Sequence, residues 1–307
     1  MGILVFGATF VDIKGYPITQ YISGGRNVGR VVQVHGGVGR NVAEDIANIE
    51  LRPTFVTVLD NSGISADVLD KLNRHNIDTR YIQHSENGLG TWLAIFDNSG
   101  DVIASISSRP DLGVIAEVLD AHGDEMFAAA DSVVLEIDME VPLVKRIFEL
   151  AERHGKEIYA VVSNMSIAVQ RRDLLKRTGC IVCNQQEAGI LFSEDYEGIT
   201  PEEMCQILEK RIKRAKIPRM IVTMGAQGAV YAQQDGYCGI CPSQKVDIID
   251  TTGAGDSFFA GVAIGLTYGK SLMEACRIGT RLACSVIATK ESVCPRFLPE
   301  EFDLFPR

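Results

Sequence analysis

Short runs of apolar, largely β-branched residues alternate along this chain with segments of helical periodicity, and no other feature restricts the possible folds as strongly. The runs are almost continuously apolar, which is typical of strands covered on both faces. Helices between such strands favour parallel neighbours in one sheet, so the sequence predicts an α/β fold with a mainly parallel central sheet. The expected strands are 3–8, 54–59, 132–137, 158–163, 180–184, 220–224 and 246–249, and the expected helices are 42–50, 66–76, 141–154, 171–177 and 201–215.

Two segments interrupt this alternation. Residues 22–34 and 91–106 vary loosely in hydrophobicity and show no helical period. The second contains Asp97-Asn98-Ser99-Gly100-Asp101 between apolar runs, which predicts a hairpin. A length of 307 residues allows one large domain or two, but no Pro/Gly/Ser-rich linker divides the chain. We therefore expect a small accessory sheet inserted into one α/β domain.

The charge balance excludes some partners. Acidic residues outnumber basic ones by 40 to 30, which gives a net charge of −10, and no Lys/Arg-rich stretch stands out as a basic patch. Such a chain is repelled by phosphate backbones, so nucleic-acid binding is not expected. No apolar run reaches the ~18 residues of a membrane span, and the first residues lack the basic region of a secretory signal. We expect no membrane partner and a cytoplasmic location.

The eight cysteines are too sparse for a disulfide-stapled scaffold, so we expect reduced thiols. They include two CxxC pairs, Cys180/Cys183 and Cys238/Cys241, separated by about 54 residues. That separation is much longer than in the common zinc pattern. The first pair also lies in an expected strand, where residues three apart point to opposite faces. A zinc site is therefore not expected.

The motif richest in chemistry is Asp250-Thr251-Thr252-Gly253-Ala254-Gly255-Asp256, between an expected strand and a helix. Its small residues leave backbone N–H groups exposed at a helix N-terminus, which predicts an anion site suited to phosphate. Asp256 lies in the first helical turn, where it is either a cap or a general base beside the phosphate. The stretch is not G-x-G-x-x-G, because residue 258 is Phe, and residues 265–271 fail the Walker A spacing.

A second glycine-rich stretch, Gly36-Gly37-Val38-Gly39-Arg40-Asn41, leads into the expected helix 42–50. Glycine permits close approach of a ligand to the backbone, and the Asn41 amide offers both donors and acceptors. A capped helix start and a binding loop both fit this pattern.

With these two stretches the sequence resembles the ribokinase/PfkB family of carbohydrate and nucleoside kinases over nearly its whole length. The two family signatures match residues 36–41 and 250–256. Further matches follow in order at Asp12, at Asn184-Gln185-Gln186-Glu187 and at residues 223–228. The resemblance implies a ribokinase-like, doubly wound α/β core in one domain, residues 1–307, with a small β-sheet lid formed by segments about 13–35 and 88–108.

The resemblance also implies ATP-dependent transfer of the γ-phosphate to a sugar or nucleoside hydroxyl. Asp256 would be the catalytic base, and the amides of Gly253, Ala254 and Gly255 would hold the transferred phosphoryl group. The hydroxyls of the acceptor would be bound by Asp12, Gly36, Gly37 and Asn41. The nucleotide would be contacted by Asn184, Glu187, Thr223, Gly225 and Gly228.

The expectations about metal ions come from the same resemblance, and the expectation about a second subunit comes from the exposed edges of the lid strands. Glu187, with Asn184, would position Mg²⁺ through water, and a helix-start cap pair is the alternative for these two residues. Asp250 and Thr252 match the start of a monovalent cation site, which would hold K⁺. The exposed edges of the lid strands would be covered by pairing with a second subunit in a homodimer. Ordinary solvated side chains are expected at Arg40 and Arg109.

The acceptor is suggested by residues 36–44, which look most like the pseudouridine kinase branch of the family, as do residues 91–97 with Gly100. This favours pseudouridine, phosphorylated at its 5′-hydroxyl. Residues 107–111 depart from the pattern expected after the lid hairpin, so ribose, another furanose or another nucleoside stays open. A catalytically silent nucleotide- or sugar-binding regulatory protein on a kinase scaffold is the alternative class, and the intact Asp256 stretch argues against it.

Overall fold

The computed structural model describes residues 2–99 and 101–305. In chain order the strands are β1 (Ile3–Phe6), β2 (Phe10–Pro17), β3 (Gly29–Gly36), β4 (Thr54–Val56), β5 (Val58–Leu59), β6 (Gln83–His84), β7 (Gly90–Phe96), β8 (Val102–Ser108), β9 (Ser132–Glu136), β10 (Glu157–Val161), β11 (Cys180–Asn184), β12 (Arg219–Thr223), β13 (Ala229–Gln233) and β14 (Cys238–Cys241). The α-helices are α1 (Val38–Asn48), α2 (Gly63–Arg74), α3 (Ile115–Ala129), α4 (Val141–Arg153), α5 (Met165–Ala168), α6 (Arg172–Leu175), α7 (Gln185–Phe192), α8 (Pro201–Ala215), α9 (Ala254–Thr267) and α10 (Leu272–Ile287).

An eight-stranded sheet forms the centre of the fold, in the order β14-β13-β12-β11-β10-β9-β1-β4. Pairing is parallel from β4 to β12, and the antiparallel strands β13 and β14 extend one edge. Alternate residues of β1 enter two separate apolar clusters, Leu4 and Phe6 one of them, Ile3 and Val5 the other. The sheet is therefore covered on both faces, and the predicted α/β core with a mainly parallel central sheet is confirmed.

A separate four-stranded sheet, in the order β3-β2-β7-β8, stands apart from this core and is called the small sheet below. Its outer strands are largely exposed, with Val31 at 69% and Ile106 at 70% of full exposure. The β7–β8 hairpin turns at Asp97, whose side chain accepts from the amides of Ser99 and Asp101. The expected hairpin is confirmed, whereas Gly100 lies outside the described residues.

Several expected boundaries are wrong for local reasons. Helix α1 begins at Val38 rather than at residue 42, so Gly39 and Asn41 lie in its first turn instead of in a preceding loop. The expected strand 54–59 is split, because β4 joins the large sheet while β5 pairs with β6. The expected helix 171–177 is reduced to the single turn of α6.

The expected strand 246–249 is also wrong. The chain there has no ladder partner within the described residues, and Ile248 and Ile249 are 68% and 57% exposed. This run is apolar and β-branched, as buried strands are. It does not join the large sheet, because β14 already occupies that edge. The helix α9 is therefore entered from an exposed, extended segment.

Helix caps and glycine packing follow the sequence closely. Capping boxes join Thr200 with Glu203 at α8 and Ser271 with Glu274 at α10. Added Cβ atoms at Gly261 would lie 2.6 Å from the Gly279 backbone, so glycine lets α9 and α10 pack closely.

The structure joins Cys205 of α8 to Cys238 of β14 in a disulfide, so the expectation of reduced thiols is wrong for this pair. Two positions 33 residues apart were brought together by the packing of α8 on the edge strands, which spacing alone does not reveal. Cys180 and Cys183 are free and buried in β11, as expected. Among the helices of the described chain, none combines the length and the apolar character needed to cross a bilayer.

Candidate active site

The N-terminus of α9 is open to a ligand. Gly253 caps the helix with φ +82°, and a Cβ there would lie 2.0 Å from the Ser292 carbonyl oxygen, so only glycine fits. The Ala254 amide donates to the Thr251 carbonyl at 3.2 Å. Within residues 2–99 and 101–305, the amides of Gly253 and Gly255 have no acceptor. A Cβ at Gly255 would meet nothing within 4 Å, so open space lies beside this residue.

Asp256 lies in the first turn of this helix, beside that space. Its carboxylate accepts a 2.6 Å hydrogen bond from the Asn41 side-chain amide. Removal from water raises the pKa of Asp256 to about 6; the bond from Asn41 and the charge of Arg40 lower it, and the carboxylates of Asp12 and Glu187 raise it further. A carboxylate with a pKa near 6 is mostly ionised at neutral pH and can accept a proton there.

Asn41 links the two glycine-rich stretches of the sequence. It projects from the first turn of α1, and its carbonyl oxygen accepts a 3.3 Å hydrogen bond from the Ser292 hydroxyl. Because both ends of the side-chain amide are held, its orientation toward Asp256 is fixed. The structure thus places the expected acceptor-binding residue directly against the expected base.

Asp12 approaches the same space from the small sheet. It lies on β2, and a Cβ at Gly36 would come within 2.3 Å of its carboxylate oxygen, so glycine makes room for this side chain. Burial raises the pKa of Asp12, against the opposing charges of Lys14 and Arg40. Gly37, the one residue between β3 and α1, has φ +99°, which glycine adopts without strain.

Arg40 is fully buried, so its expected solvated state is wrong. Its guanidinium donates to the carbonyls of Gly36 and His35, at 3.2 and 2.6 Å, and forms a 2.7 Å ion pair with Glu44. Glu44 also pairs with Lys71 at 2.8 Å. All three nitrogens of this buried guanidinium donate hydrogen bonds, so Arg40 holds the backbone of the glycine-rich stretch in place and does not contact solvent.

Two carboxylates at the end of β9 were missed by the sequence analysis. Glu136 is buried and accepts from the amides of Gly39 and Ala8, and burial raises its pKa to about 8. Asp138 accepts from the Ser163 hydroxyl at 2.6 Å and pairs with Arg109, so Arg109 is tied to the core rather than simply solvated. The sequence signal for these residues is a pair of acidic side chains at the end of an apolar run. Carboxylates buried at such a position need specific partners.

Asn184 and Glu187 form a reciprocal capping box at the start of α7. The Glu187 amide donates to Asn184 Oδ1 at 2.9 Å, and the Asn184 amide donates to the Glu187 carboxylate at 2.7 Å. The cap interpretation is therefore confirmed, and within residues 2–99 and 101–305 the second Glu187 oxygen has no hydrogen-bond donor. Burial raises the pKa of Glu187, and the nearby Asp138 charge adds to the increase.

The expected nucleotide contacts lie at the same edge of the large sheet. Thr223 ends β12 and is in register with Asn184 of β11. Gly225 and Gly228, with φ +55° and +94°, form the tight turn into β13. A Cβ at Gly228 would lie 2.2 Å from the Cys241 carbonyl oxygen, so this glycine is required by packing whatever its contact with a ligand.

The expected monovalent-cation residues form a local turn. The Thr252 amide donates to the Asp250 carboxylate at 2.9 Å, and the Ile249 amide donates to the Ile287 carbonyl at 2.8 Å. The second bond brings the end of α10 next to the turn that precedes α9.

Comparison with known proteins agrees with this geometry. Residues 2–296 match the family model described as pfkB family carbohydrate kinase. The chain is 33% identical over 303 residues to guanosine-inosine kinase from Exiguobacterium acetylicum, with 98% of each protein covered. It is 24% identical to pseudouridine kinase from Escherichia coli, over 93% of this chain and 90% of that protein.

Solved structures share the fold. Ribokinase from Arabidopsis thaliana, complexed with ribose and ATP, superposes with a TM-score of 0.85 at 19% identity, with 99% of each chain covered. A nucleoside kinase from Burkholderia thailandensis in complex with inosine gives a TM-score of 0.75 at 16% identity, covering 99% of this chain and 96% of that one.

The family match, together with this fold, makes the chain a phosphotransferase that uses an alcohol group as acceptor. The chain belongs to the pfkB family of carbohydrate kinases and is a sugar or nucleoside kinase of that family.

Proposed function

We propose that this protein is a nucleoside kinase that transfers the γ-phosphoryl group of ATP to the 5′-hydroxyl of a nucleoside. The observation that carries the proposal is the pairing of Asp256 with two acceptor-free amides at the start of α9. A base and an anion site within one helical turn are what phosphoryl transfer to a hydroxyl requires.

In the proposed step, a lone pair of the acceptor hydroxyl oxygen attacks the γ-phosphorus. The bond from this phosphorus to the β,γ-bridging oxygen breaks, ADP leaves, and the hydroxyl proton passes to Asp256. The amides of Gly253 and Gly255, with the helix dipole, stabilise charge on the moving phosphoryl oxygens. The Ala254 amide already donates to the Thr251 carbonyl, so the contribution of Ala254 is its small side chain.

The remaining residues take binding roles in this proposal. Asp12 and Asn41 hold the ribose hydroxyls, and Gly36 and Gly37 let the acceptor approach the backbone. The triphosphate lies along the carboxyl ends of β11 and β12, where ligands bind in open α/β sheets. The contacts there are assigned to Asn184, Glu187, Thr223, Gly225 and Gly228.

The residues present fit a magnesium ion. Asp256 and Glu187 each have a pKa raised by burial and by neighbouring carboxylates, and the one free oxygen of Glu187 belongs to a hard ligand that Mg²⁺ prefers. Glu187, with Asn184, would hold the ion through water, and the ion would supply positive charge to the triphosphate. Asp250 and Thr252 are the corresponding proposal for K⁺.

A nucleoside is favoured over a free sugar by the small sheet. Trp92 of β7 is in register with Asp12 of β2, so the two side chains share one face of that sheet. Phe96 and Tyr16 continue the same face, with a 4.8 Å stacking contact between them. An aromatic surface next to the ribose-binding carboxylate suits the flat, apolar ring of a nucleobase.

The name of the Exiguobacterium relative places guanosine and inosine first among acceptors to be tested. Pseudouridine is the second candidate, favoured by residues 36–44 and by the Escherichia coli relative. We also propose that the small sheet is a lid that excludes water, that its exposed strand edges pair with a second copy, and that the enzyme works in the cytoplasm, where ATP is available.

The experiment that tests the proposal is ADP release across guanosine, inosine, pseudouridine, uridine, adenosine, cytidine, ribose and fructose. We expect turnover of at least one nucleoside and little of ribose or fructose. Robust turnover of ribose alone would reject the nucleoside proposal, and nucleotide binding without turnover of any acceptor would favour the silent regulatory protein.

A matched pair of variants tests the role of the aromatic face. Trp92→Ala should raise KM for the nucleoside about tenfold, because base–aromatic stacking contributes roughly 1–3 kcal/mol. Leu93→Ala removes an apolar side chain that is 39% exposed on the opposite face of the same strand, and should leave KM unchanged. Equal effects of the two variants would show that the face does not bind the base.

A further inference from the structure

A cluster of basic side chains occupies the corner of the molecule that is farthest along β11 and β12 from the candidate active site. Residues 171–177 contain four Arg and Lys, and residues 210–216 contain five; of the first four, Arg171 is buried and donates to the Ile137 carbonyl, and Arg177 pairs with Glu152. These segments are separate in sequence but meet in the fold, just before the amino ends of the two strands. The expectation that the chain carries no basic patch is therefore wrong at this corner.

The two segments enclose a cavity of about 360 Å³, which we call the basic cavity. Its rim carries the four cations Arg172, Lys176, Arg211 and Arg214, and its floor is apolar, formed in part by Leu175 and Phe192. The volume lies in the range of pockets that bind small molecules.

Two of the four cations are already engaged. Arg211 pairs with Glu194, and Arg172 donates to the Leu191 carbonyl at 3.1 Å. Neither Lys176 nor Arg214 has an acidic partner within ion-pair distance among residues 2–99 and 101–305. A chain of net charge −10 thus keeps two unneutralised cations over an apolar floor.

We propose that the basic cavity is a second ligand site, separate from the kinase centre, which binds a small phosphate ester with an apolar body. The unpaired Lys176 and Arg214 would bind the phosphate, for which Arg and Lys are the preferred protein partners. The apolar floor would bury the organic part, so the affinity should exceed that for inorganic phosphate.

The position of the cavity connects it to the nucleotide-binding edge. Helix α7 has its last residue, Phe192, in the cavity floor and its capping residue, Asn184, at the candidate nucleotide site, about 12 Å away along the helix axis. Strand β12 likewise begins next to the cavity and ends at Thr223. A ligand in the cavity would thus contact elements that also form the nucleotide site.

The test uses 1-naphthyl phosphate as the probe in isothermal titration calorimetry, with inorganic phosphate and 1-naphthol as its two halves. We expect the wild-type protein to bind the probe more tightly than either half. The double variant Lys176→Glu/Arg214→Glu should bind it at least tenfold more weakly. The matched control, Lys210→Glu/Lys213→Glu, makes the same change of charge at exposed positions of α8 outside the cavity, and should stay within about twofold of wild type.

Equal weakening in the two double variants would overturn the proposal, because it would show only a long-range effect of charge. Unchanged binding in Lys176→Glu/Arg214→Glu would overturn it too, since the probe would then occupy another site, such as the start of α9. If the glutamate pair fails to fold, Lys176→Gln/Arg214→Gln decides by the same criterion. Because the readout is binding and not turnover, the result is independent of the proposed kinase reaction.

Discussion

Two helices of this protein, α1 and α9, begin in the same way and meet at their first turns, but among the described residues a buried side chain accepts from the first turn of only one of them. Both follow a glycine with positive φ, Gly37 in one and Gly253 in the other. At α1 the buried carboxylate of Glu136 accepts from the Gly39 amide. At α9 the amides of Gly253 and Gly255 have no acceptor within the described parts of the chain.

The difference shows that a glycine-rich helix start is not in itself a binding site. A buried carboxyl oxygen of the protein, even in a protonated side chain, can satisfy an amide at a helix N-terminus as well as a ligand can. In α1 the Glu136 carboxyl group accepts from the Gly39 amide. The ligand contact expected from this helix start is therefore the side chain of Asn41. In α9 no side chain of the described residues accepts from the Gly253 and Gly255 amides, and Asp256 lies beside them.

The largest expected effect comes from removing the base at the open helix. Asp256→Asn should lower kcat by about 10²–10⁴-fold, because the amide cannot accept the hydroxyl proton, while ATP binding is largely kept. Single-turnover kinetics and nucleotide titration measure the two quantities separately. A near-normal kcat would show that Asp256 is not the base and serves only as a helix cap.

Two glycines of α9 should respond oppositely to the same substitution. Gly255→Ala meets no atom within 4 Å, so stability should be unchanged or slightly raised, but the methyl group enters the anion space and kcat/KM should fall about tenfold or more. Gly253→Ala should instead destabilise the fold by at least roughly 1–3 kcal/mol, through a left-handed backbone and a collision with Ser292.

Thermal unfolding and steady-state kinetics on both variants check this contrast. A stable and fully active Gly255→Ala protein would mean that no anion approaches the amides of α9, and the comparison between the two helix starts would lose its functional meaning.

The pH dependence of the reaction should report the pKa of Asp256, which is about 6 in the free enzyme. The ionised form is the active base, so log kcat/KM should be flat above pH 7 and fall with a slope approaching one below about pH 6. The measurement is a profile from pH 5 to 8 at saturating metal. Persistence of full activity at pH 5 would contradict a base in this environment.

The closed helix start should show its effect in stability rather than rate. Glu136 has a folded pKa of about 8 against 4.5 in the unfolded chain, so the folded state retains a proton that the unfolded state has lost. Stability should therefore fall as pH rises from about 4.5 to 8. Glu136→Gln keeps the shape without the ionisation, and should gain about 1–3 kcal/mol over wild type at pH 8 and little at pH 5.

Denaturant unfolding at the two pH values tests this prediction. A residual slope is expected in the variant, because burial also raises the pKa of Asp45 to about 7. An identical pH dependence in variant and wild type would show that Glu136 is ionised in the folded protein.

The parallel core could be predicted from the sequence because strands covered on both faces consist of almost continuous apolar runs. Cys180–Asn184 and Pro201–Ala215 have the predicted bounds in the structure. The same rule failed at residues 246–249, where the apolar run is exposed. Hydrophobicity identifies a strand only where a neighbouring strand is there to pair with it, and pairing is a property of the whole sheet.

The site divides in the same way. Asp256, Asn41 and Asp12 could be selected because each stands in or near a distinctive local pattern. Glu136 stands in no such motif, and its partner amides, those of Gly39 and Ala8, lie 97 and 128 residues away in the chain. The burial of Arg40 is hard to predict for a related reason: two of its acceptors are backbone carbonyls, which no side-chain pattern records, and the Glu44 partner alone also fits an exposed ion pair.

Arg40 also determines how the site should respond to ionic strength. Mobile ions screen charges on a surface within about 10 Å in 0.1 M salt, but they do not reach a guanidinium that has no exposed surface. Arg40 lowers the pKa of both Asp12 and Asp256 from that position. The pKa of Asp256 should therefore differ little between dilute buffer and molar salt. The rate at which anionic ATP associates with this strongly acidic protein should instead change as salt is added.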